Sequence, residues 1–397
     1  MPFALDPFRE SAYRRLWLGA VLFSFGQWME RTAIGWYVLD LTGSVFLTTL
    51  AWAVRSLPSL VFGPISGAIA DRYSRRVVLA LNTGARAATV SVLGLVALGE
   101  SSVVEILVLV ALSGVTATIQ LAASQSLAAE AAGPGRLASA VSLLSFGQRS
   151  VAALGALVSG FLIAGLGAAA TFGIAALPLA LAALVFATVR TAARPATTTR
   201  ISADVLEGIR VVFRVRIVGL LLALMIAVEI LGFSYNALLP AVAEGMLGVG
   251  PKGLGTLMSG AALGSMVGTA LLAAIAQRGG QGRLLLGVIS GFGVLLIALS
   301  LSRVFAVSVL VCGGIGAMAA MVDALEWILL QASVDERLRG RVLGAWNHAI
   351  GWGWIGPVAL GALAEGIGVD QALALSGTLL ALTGIGVALQ SAALRRA

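Results

Sequence analysis

Long apolar runs alternate with short polar connectors from one end of the chain to the other. The runs are Leu16–Leu39, Val45–Ala70, Val77–Leu98, Val103–Leu127, Ala138–Ala164 and Ala168–Val189. They continue as Ile217–Leu239, Gly253–Ala276, Leu284–Leu301, Val304–Leu330, Val342–Ala364 and Ala372–Leu394. A helix needs roughly 20 apolar residues to cross the hydrocarbon core of a bilayer. Few segments show the strict alternation of a membrane β-barrel. The pattern therefore predicts an all-α membrane protein with twelve transmembrane helices. The connectors are mostly shorter than about ten residues, as expected between neighbouring helices. The longest, residues 190–216, is rich in Thr, Pro and Arg at its start. It is expected to be a cytoplasmic linker between a six-helix bundle over 1–189 and another over 217–397. Its later part, Ile201–Val215, can form an amphipathic helix on the membrane surface.

Composition agrees with a bilayer environment. The chain of 397 residues is 59% hydrophobic and 11% charged, against about 25% charged in soluble domains. A net charge of +8 raises the question of nucleic-acid partners. Its distribution answers it: with twelve spans, 20 Arg fall on one side, and only Lys252 and Arg303 on the other. That asymmetry is an orientation signal. It excludes nucleic acid as a partner and places both termini in the cytoplasm of a bacterial inner membrane. The first run is long and carries Glu30 and Arg31, so it reads as a retained helix, not a cleaved signal peptide. Cys312 is the only cysteine, which excludes an intramolecular disulfide and a Cys-based metal site. No Walker loop, zinc-spaced His/Cys cluster or nucleophile elbow occurs. No cofactor, metal or enzymatic activity is expected.

The halves repeat. Shifting the numbering by 206 lays Asp71-Arg72 on Gln277-Arg278 and Gln125 on Gln331. Two matches at one offset indicate two parallel six-helix pseudo-repeats.

Four motifs carry a family resemblance. Gly67-Ala-Ile-Ala-Asp71-Arg72-Tyr-Ser-Arg75-Arg76 lies between the second and third spans. It resembles the cytoplasmic loop between helices 2 and 3 of major facilitator superfamily transporters. Tyr13-Arg14-Arg15-Leu16-Trp17 is similar to the lead-in to their first helix. The stretch from Ala33 to Ser44 resembles the end of that helix in exporters of the siderophore (enterobactin) and drug-efflux branch. Gln331-Ala-Ser-Val-Asp335-Glu336-Arg337-Leu-Arg339-Gly340-Arg341 resembles the helix 10–11 loop of the same branch. Drug:proton antiporters of the superfamily usually carry an arginine within helix 4 and a Gly-Pro pair in helix 5; Val103–Leu127 and Gly155-Ala156 depart from both. The resemblance implies a secondary transporter working by alternating access. It implies a gating role for Gly67, Asp71, Arg72, Arg75 and Arg76, with Asp71 latching the cytoplasmic side.

Away from the span ends, eight charges remain inside the spans: Glu30, Arg31, Arg55, Arg86 and Arg149 in the first half, and Glu229, Asp323 and Glu326 in the second. The halves thus carry +3 and −3. At 1.5 Å per residue, Glu30 lies about 22 Å beyond Arg15, Arg55 about 16 Å beyond Ser44 and Arg86 about 15 Å beyond Arg76. These depths are near the bilayer centre, where a charge costs at least about 2.5–3.5 kcal/mol and needs a cavity or a partner. Proton-coupling candidates are Glu30 and Glu229, deep on the first helix of each half, with Asp323 and Glu326, which share a helix face at spacing i, i+3. Substrate-cavity candidates are Arg55, Arg149, Gln27, Trp28, Gln148, Tyr235, Asn236, Trp327, His348 and Trp352, which can supply charge, hydrogen bonds or stacking surfaces. Arg86, on a helix peripheral in the superfamily, and Arg31, turned about 100° from Glu30, stand outside the candidate set. Glycines 260, 264 and 268 form one stripe, suited to close helix packing.

The expected function is export of a small amphipathic molecule (a drug, siderophore or secondary metabolite) by a monomer, in exchange for protons. An importer or lipid flippase of the same fold, or a non-transporting sensor or scaffold, are the alternatives.

Overall fold

The computed structural model describes residues 2–60, 62, 73–131, 136–190, 215–275, 279–391 and 394. Those residues are mostly helical, with no strand among them. The reason is the solvent: lipid offers no hydrogen bonds, so the backbone must satisfy itself within each span. A short 3₁₀ segment, Pro2–Arg9, leads into α1 (Ser11–Thr42), about 48 Å long. Then come α2 (Val45–Ser56), α3 (Arg75–Val96), α4 (Val103–Ala131) and α5 (Leu137–Ala187). The second half holds α6 (Arg216–Ala227), α7 (Tyr235–Ala241), α8 (Gly250–Ile275), α9 (Gln281–Leu301) and α10 (Phe305–Ala332). It closes with α11 (Glu336–Gly351), α12 (Ile355–Ile367) and α13 (Val369–Gln390).

Nine helices among the described residues are long and apolar enough to span a membrane on their own. One of them, Ser139–Ala187, is two spans joined at Gly167, whose φ of 81° and ψ of 171° break the helix. With Ser11–Thr42 and Val45–Leu60 the total is the expected twelve. Local signals set the helix ends. Ser102 and Glu105 form a capping box at α4, the Ser102 amide donating to the Glu105 carboxylate and the Glu105 amide donating to Ser102 Oγ. At Gly167 a β-carbon would meet nothing within 4 Å, so only the backbone conformation demands glycine. Gly167→Ala is expected to lower stability by about 1–3 kcal/mol, read by thermal unfolding in detergent.

Two spans differ from the sequence expectation. The apolar run of the seventh ends at Leu239, and the next residue, Pro240, cannot donate a helical hydrogen bond. Instead π-helical turns at Val228–Phe233 and Val242–Met246 flank α7 and carry the helix on past the proline. The eleventh begins earlier, at Glu336, and is interrupted by a 3₁₀ turn at Trp352–Trp354 just before Pro357. The linker helix proposed for Ile201–Val215 lies, but for Val215, outside the described residues.

The chain forms two compact units, Met1–Val38 with Val54–Thr199, and Leu39–Ala53 with Arg200–Ala397. In the first, α3 lies along α5 and α4; in the second, α8 lies along α10, and α9 along α13 and α10. The plan repeats. Arg75 and Gln281, which open α3 and α9, are 206 positions apart. The turn after the first helix of each half uses a left-handed glycine, Gly43 (φ 63°) and Gly248 (φ 61°). The break between the last two uses Gly167 (φ 81°) and Gly368 (φ 99°). In the second unit the glycine stripe of α8 meets α10 directly: β-carbons on Gly264 and Gly268 would strike the carbonyl oxygens of Gly313 and Ala317.

Candidate functional site

The first unit buries a charged cluster around Glu30, and three helix contacts place it there. Along α1, Tyr13 and Trp17 donate to the carbonyls of Ala140 and Leu143, Ser24 Oγ to that of Gln148, and Ser159 Oγ of α5 to that of Met29. This seam ties α1 to α5 and fixes its rotation about Glu30. On α3, Asn82 donates to the Thr116 carbonyl and Thr83 to Gln120 of α4, one turn before Arg86. Gly114 of α4 has no side chain, so the Arg55 backbone of α2 approaches against it.

These contacts bring three arginines to one carboxylate. Arg86 donates to Glu30 Oε2 through Nε at 2.9 Å and Nη2 at 2.6 Å. Arg55 Nη1 stands 3.7 Å from Glu30 Oε1, an ion pair too long for a hydrogen bond. Arg31 is within electrostatic reach of Arg86, Arg55 and Glu30, and its guanidinium lies 4.8 Å above the Trp28 ring. Ser113 Oγ adjoins the same carboxylate. Glu30 and Arg86 are fully buried and Arg55 is 8% exposed. Guanidinium groups do not deprotonate in proteins, so with Glu30 ionised the cluster carries a net charge of about +2.

The second unit holds the opposite sign. Glu229, in the π-helical turn, Asp323 and Glu326 act electrostatically on one another. Glu326 is fully buried, and neither carboxylate oxygen has a hydrogen-bond partner among the described residues. The Trp346 indole lies beside it, edge-to-face with Trp327 at 5.2 Å. The Glu229 carboxylate reaches the bare backbone of Gly353, where a β-carbon would stand 2.7 Å from Oε2.

A family model described as transmembrane secretion effector matches residues 2–396, almost the whole chain. The chain belongs to that family of major facilitators. It is similar to the uncharacterized MFS-type transporter YfiS of Bacillus subtilis, 28% identical over 388 residues covering 91% of this chain and 89% of that protein. Its fold matches the nucleoside transporter NupG with a TM-score of 0.78 at 13% identity, over 96% of this chain and 98% of that one. It also matches a D-xylose–proton symporter with a TM-score of 0.74 at 16% identity, over 94% and 95%. The protein is thus a multi-pass membrane transporter, not an enzyme.

Within this major facilitator the other candidate residues scatter. Gln27 and Trp28 are half-buried on α1, Trp28 beneath the Arg31 guanidinium, and Gln148 is half-buried on α5. Arg149, His348 and Trp352 are exposed. The ring centroids of His348 and Trp352 are 6.3 Å apart. Tyr235 is buried against Phe292, and Asn236 donates to the Phe233 carbonyl. Arg75 pairs with Glu130 at the end of α4, inside its own unit, and Arg76 is half-buried. Gly67, Asp71 and Arg72 lie outside the described residues. Among the described residues no group of three His, Cys, Asp or Glu could hold a metal. Arg86 and Arg31 were outside the sequence-derived candidate set, yet both belong to the Glu30 cluster. The signal for Arg86 was its depth, near the bilayer centre.

Proposed function

We propose that this transporter is a secondary antiporter of the bacterial inner membrane, with both termini cytoplasmic. It exports a small amphipathic molecule by alternating access in exchange for protons. One observation carries the reading: Glu326, fully buried in a membrane span beside the Trp346 indole, has no hydrogen-bond partner for either carboxylate oxygen among the described residues, and Glu229 and Asp323 act on it electrostatically. Three anions in low dielectric repel strongly, and groups so coupled take up and release protons as a set. In this reading Glu326 and Glu229 carry the coupling proton with Asp323 beside them. Glu30 has another task, since Arg86 and Arg55 already hold it as their counter-ion. The family description supports the outward direction, and the D-xylose–proton symporter is a proton-coupled protein of the same fold. The loop from Gly67 to Arg76 gates the cytoplasmic side.

The test uses proteoliposomes with an imposed pH gradient and a panel of amphipathic compounds. The wild type is expected to move at least one compound against its own gradient, and Glu326→Gln to reduce that movement to background while leaving the folded yield intact. Movement indifferent to the pH gradient in the wild type sinks the proton coupling.

A further inference from the structure

The π-helical turn at Val228–Phe233 has no proline or glycine pair to cause it. The second wide turn, Val242–Met246, follows Pro240 closely. That proline frees the carbonyl four residues before it, that of Asn236, which lies outside the first turn. Winding with i→i+5 bonds is rare, and its single turns concentrate at functional sites. Contacts from outside the segment therefore hold Val228–Phe233 wide. Ser234 Oγ donates to the Glu229 carbonyl at 3.1 Å, and Ser376 Oγ of α13 donates to the Leu231 carbonyl at 2.6 Å. Both serines are buried, Ser376 on the face of α13 that carries Leu373 and Leu380. A hydroxyl in such surroundings is costly unless it is bonded, so its place is set by the carbonyl it meets. Neighbouring helices close round the same turn. A β-carbon on Gly356 of α12 would strike Ser234 Oγ and the Ile230 carbonyl, and one on Gly232 would strike the Phe292 ring of α9. The turn carries one ionisable side chain, Glu229.

We propose that Ser376 and Ser234 are positioning residues for Glu229: by holding the π-turn they fix the rotation of its carboxylate onto the bare backbone of Gly353. The inference rests on Glu229 as a proton carrier in the function proposed above. Successive residues of an α-helix are rotated by about 100°, so removing the extra residue of the wide turn rotates Glu229 by about that angle relative to α7. Such a rotation takes the carboxylate off Gly353, where Oε2 stands 2.7 Å from the place of a β-carbon. It also changes the distance to Asp323 and Glu326, on which Glu229 acts electrostatically. Ser376 is 145 positions from Leu231 in the chain, so the bond ties the aim of Glu229 to the packing of α13.

Infrared difference spectra of the purified protein in nanodiscs, taken between mildly acid and mildly alkaline buffer, test this without a substrate. The part of the protonated-carboxyl band that disappears in Glu229→Gln is the Glu229 component. The frequency of that stretch follows the hydrogen bonding and polarity around the carboxyl group, which a change of fold stability alone does not alter. Ser376→Ala is expected to move the Glu229 component to another frequency, and Ser376→Thr, which keeps the hydroxyl, to leave it in place. Ser234→Ala is expected to move it as well, and decides the matter if Ser376→Ala does not fold. Thr378→Ala is the control: its hydroxyl is exposed on α13 and bonds the Ala374 carbonyl of its own helix, so the component stays where it is. A Glu229 component unmoved in folded Ser376→Ala and Ser234→Ala, or moved equally in Thr378→Ala, overturns the positioning role and leaves Glu229 as a proton carrier. A band with no Glu229 component overturns both.

Discussion

Glu30→Gln is expected to destabilise the protein by about 3–5 kcal/mol, more than any other single polar substitution in the first unit. The variant removes the carboxylate that Arg86 and Arg55 share and leaves both guanidinium groups buried inside a membrane span. Arginine cannot relieve the strain by losing its proton, and the amide of glutamine supplies no charge. Arg86 then loses two hydrogen bonds at once, those of Nε and Nη2. Unfolding free energies in bicelles, measured for wild type, Glu30→Gln, Arg86→Gln and the double variant, separate the pair from its surroundings. The double variant should be more stable than the sum of the single losses implies, since it removes one of the orphaned charges together with its partner. Additivity within about 0.3–0.5 kcal/mol would mean that the two side chains do not interact.

The second large effect concerns backbone contact, not charge. Gly264→Ala is expected to cost about 1–3 kcal/mol and to lower the yield of folded protein. Without side chains, Gly264 and Gly268 let α8 lie directly on the Gly313 and Ala317 carbonyls of α10, and Gly316 does the same for the Ala261 carbonyl. An added methyl has nowhere to go except by moving one helix away from the other, which would also loosen the residues between Ala317 and Glu326 on α10. Gly287→Ala is the control: it is exposed on α9 with nothing within 4 Å of an added β-carbon. Alanine there should be neutral, or stabilising by up to about 1 kcal/mol through helix propensity. Melting curves in one detergent compare the two; equal curves would remove the packing argument.

Much of this was legible in the chain because it depends on local chemistry. Apolar run length alone places twelve spans, since each span must satisfy its own backbone in lipid. Gly167 falls in the short gap between two predicted spans, and the structure breaks the helix there. The seventh span runs past its expected end for an equally local reason. A proline ordinarily ends a helix, and the wide turn at Val242–Met246 that absorbs it has no signature in the residues themselves.

The site was legible in depth but not in direction. Counting residues from the span ends put Glu30, Arg55 and Arg86 near the bilayer centre, and the structure joins them. Arg149 is also within a span, but its side of α5 is exposed. What separates these cases is helix rotation, and rotation is decided by contacts between distant parts of the chain. Ser159 on the Met29 carbonyl and Gly114 against the Arg55 backbone are two of them. Helix order made Arg86 look peripheral, while the long guanidinium arm reaches Glu30 from α3 all the same.

The central claim is a division of labour: Glu30 is a fixed counter-ion for arginines, and the acidic set of the second unit exchanges protons. Infrared difference spectra of the carboxyl stretch, taken between mildly acid and mildly alkaline buffer, address it without any substrate. The account predicts a protonated-carboxyl band in the wild type that survives in Glu30→Gln and disappears or shrinks in Glu326→Gln. A band lost in Glu30→Gln and unchanged in Glu326→Gln would contradict it and return the coupling proton to the first unit.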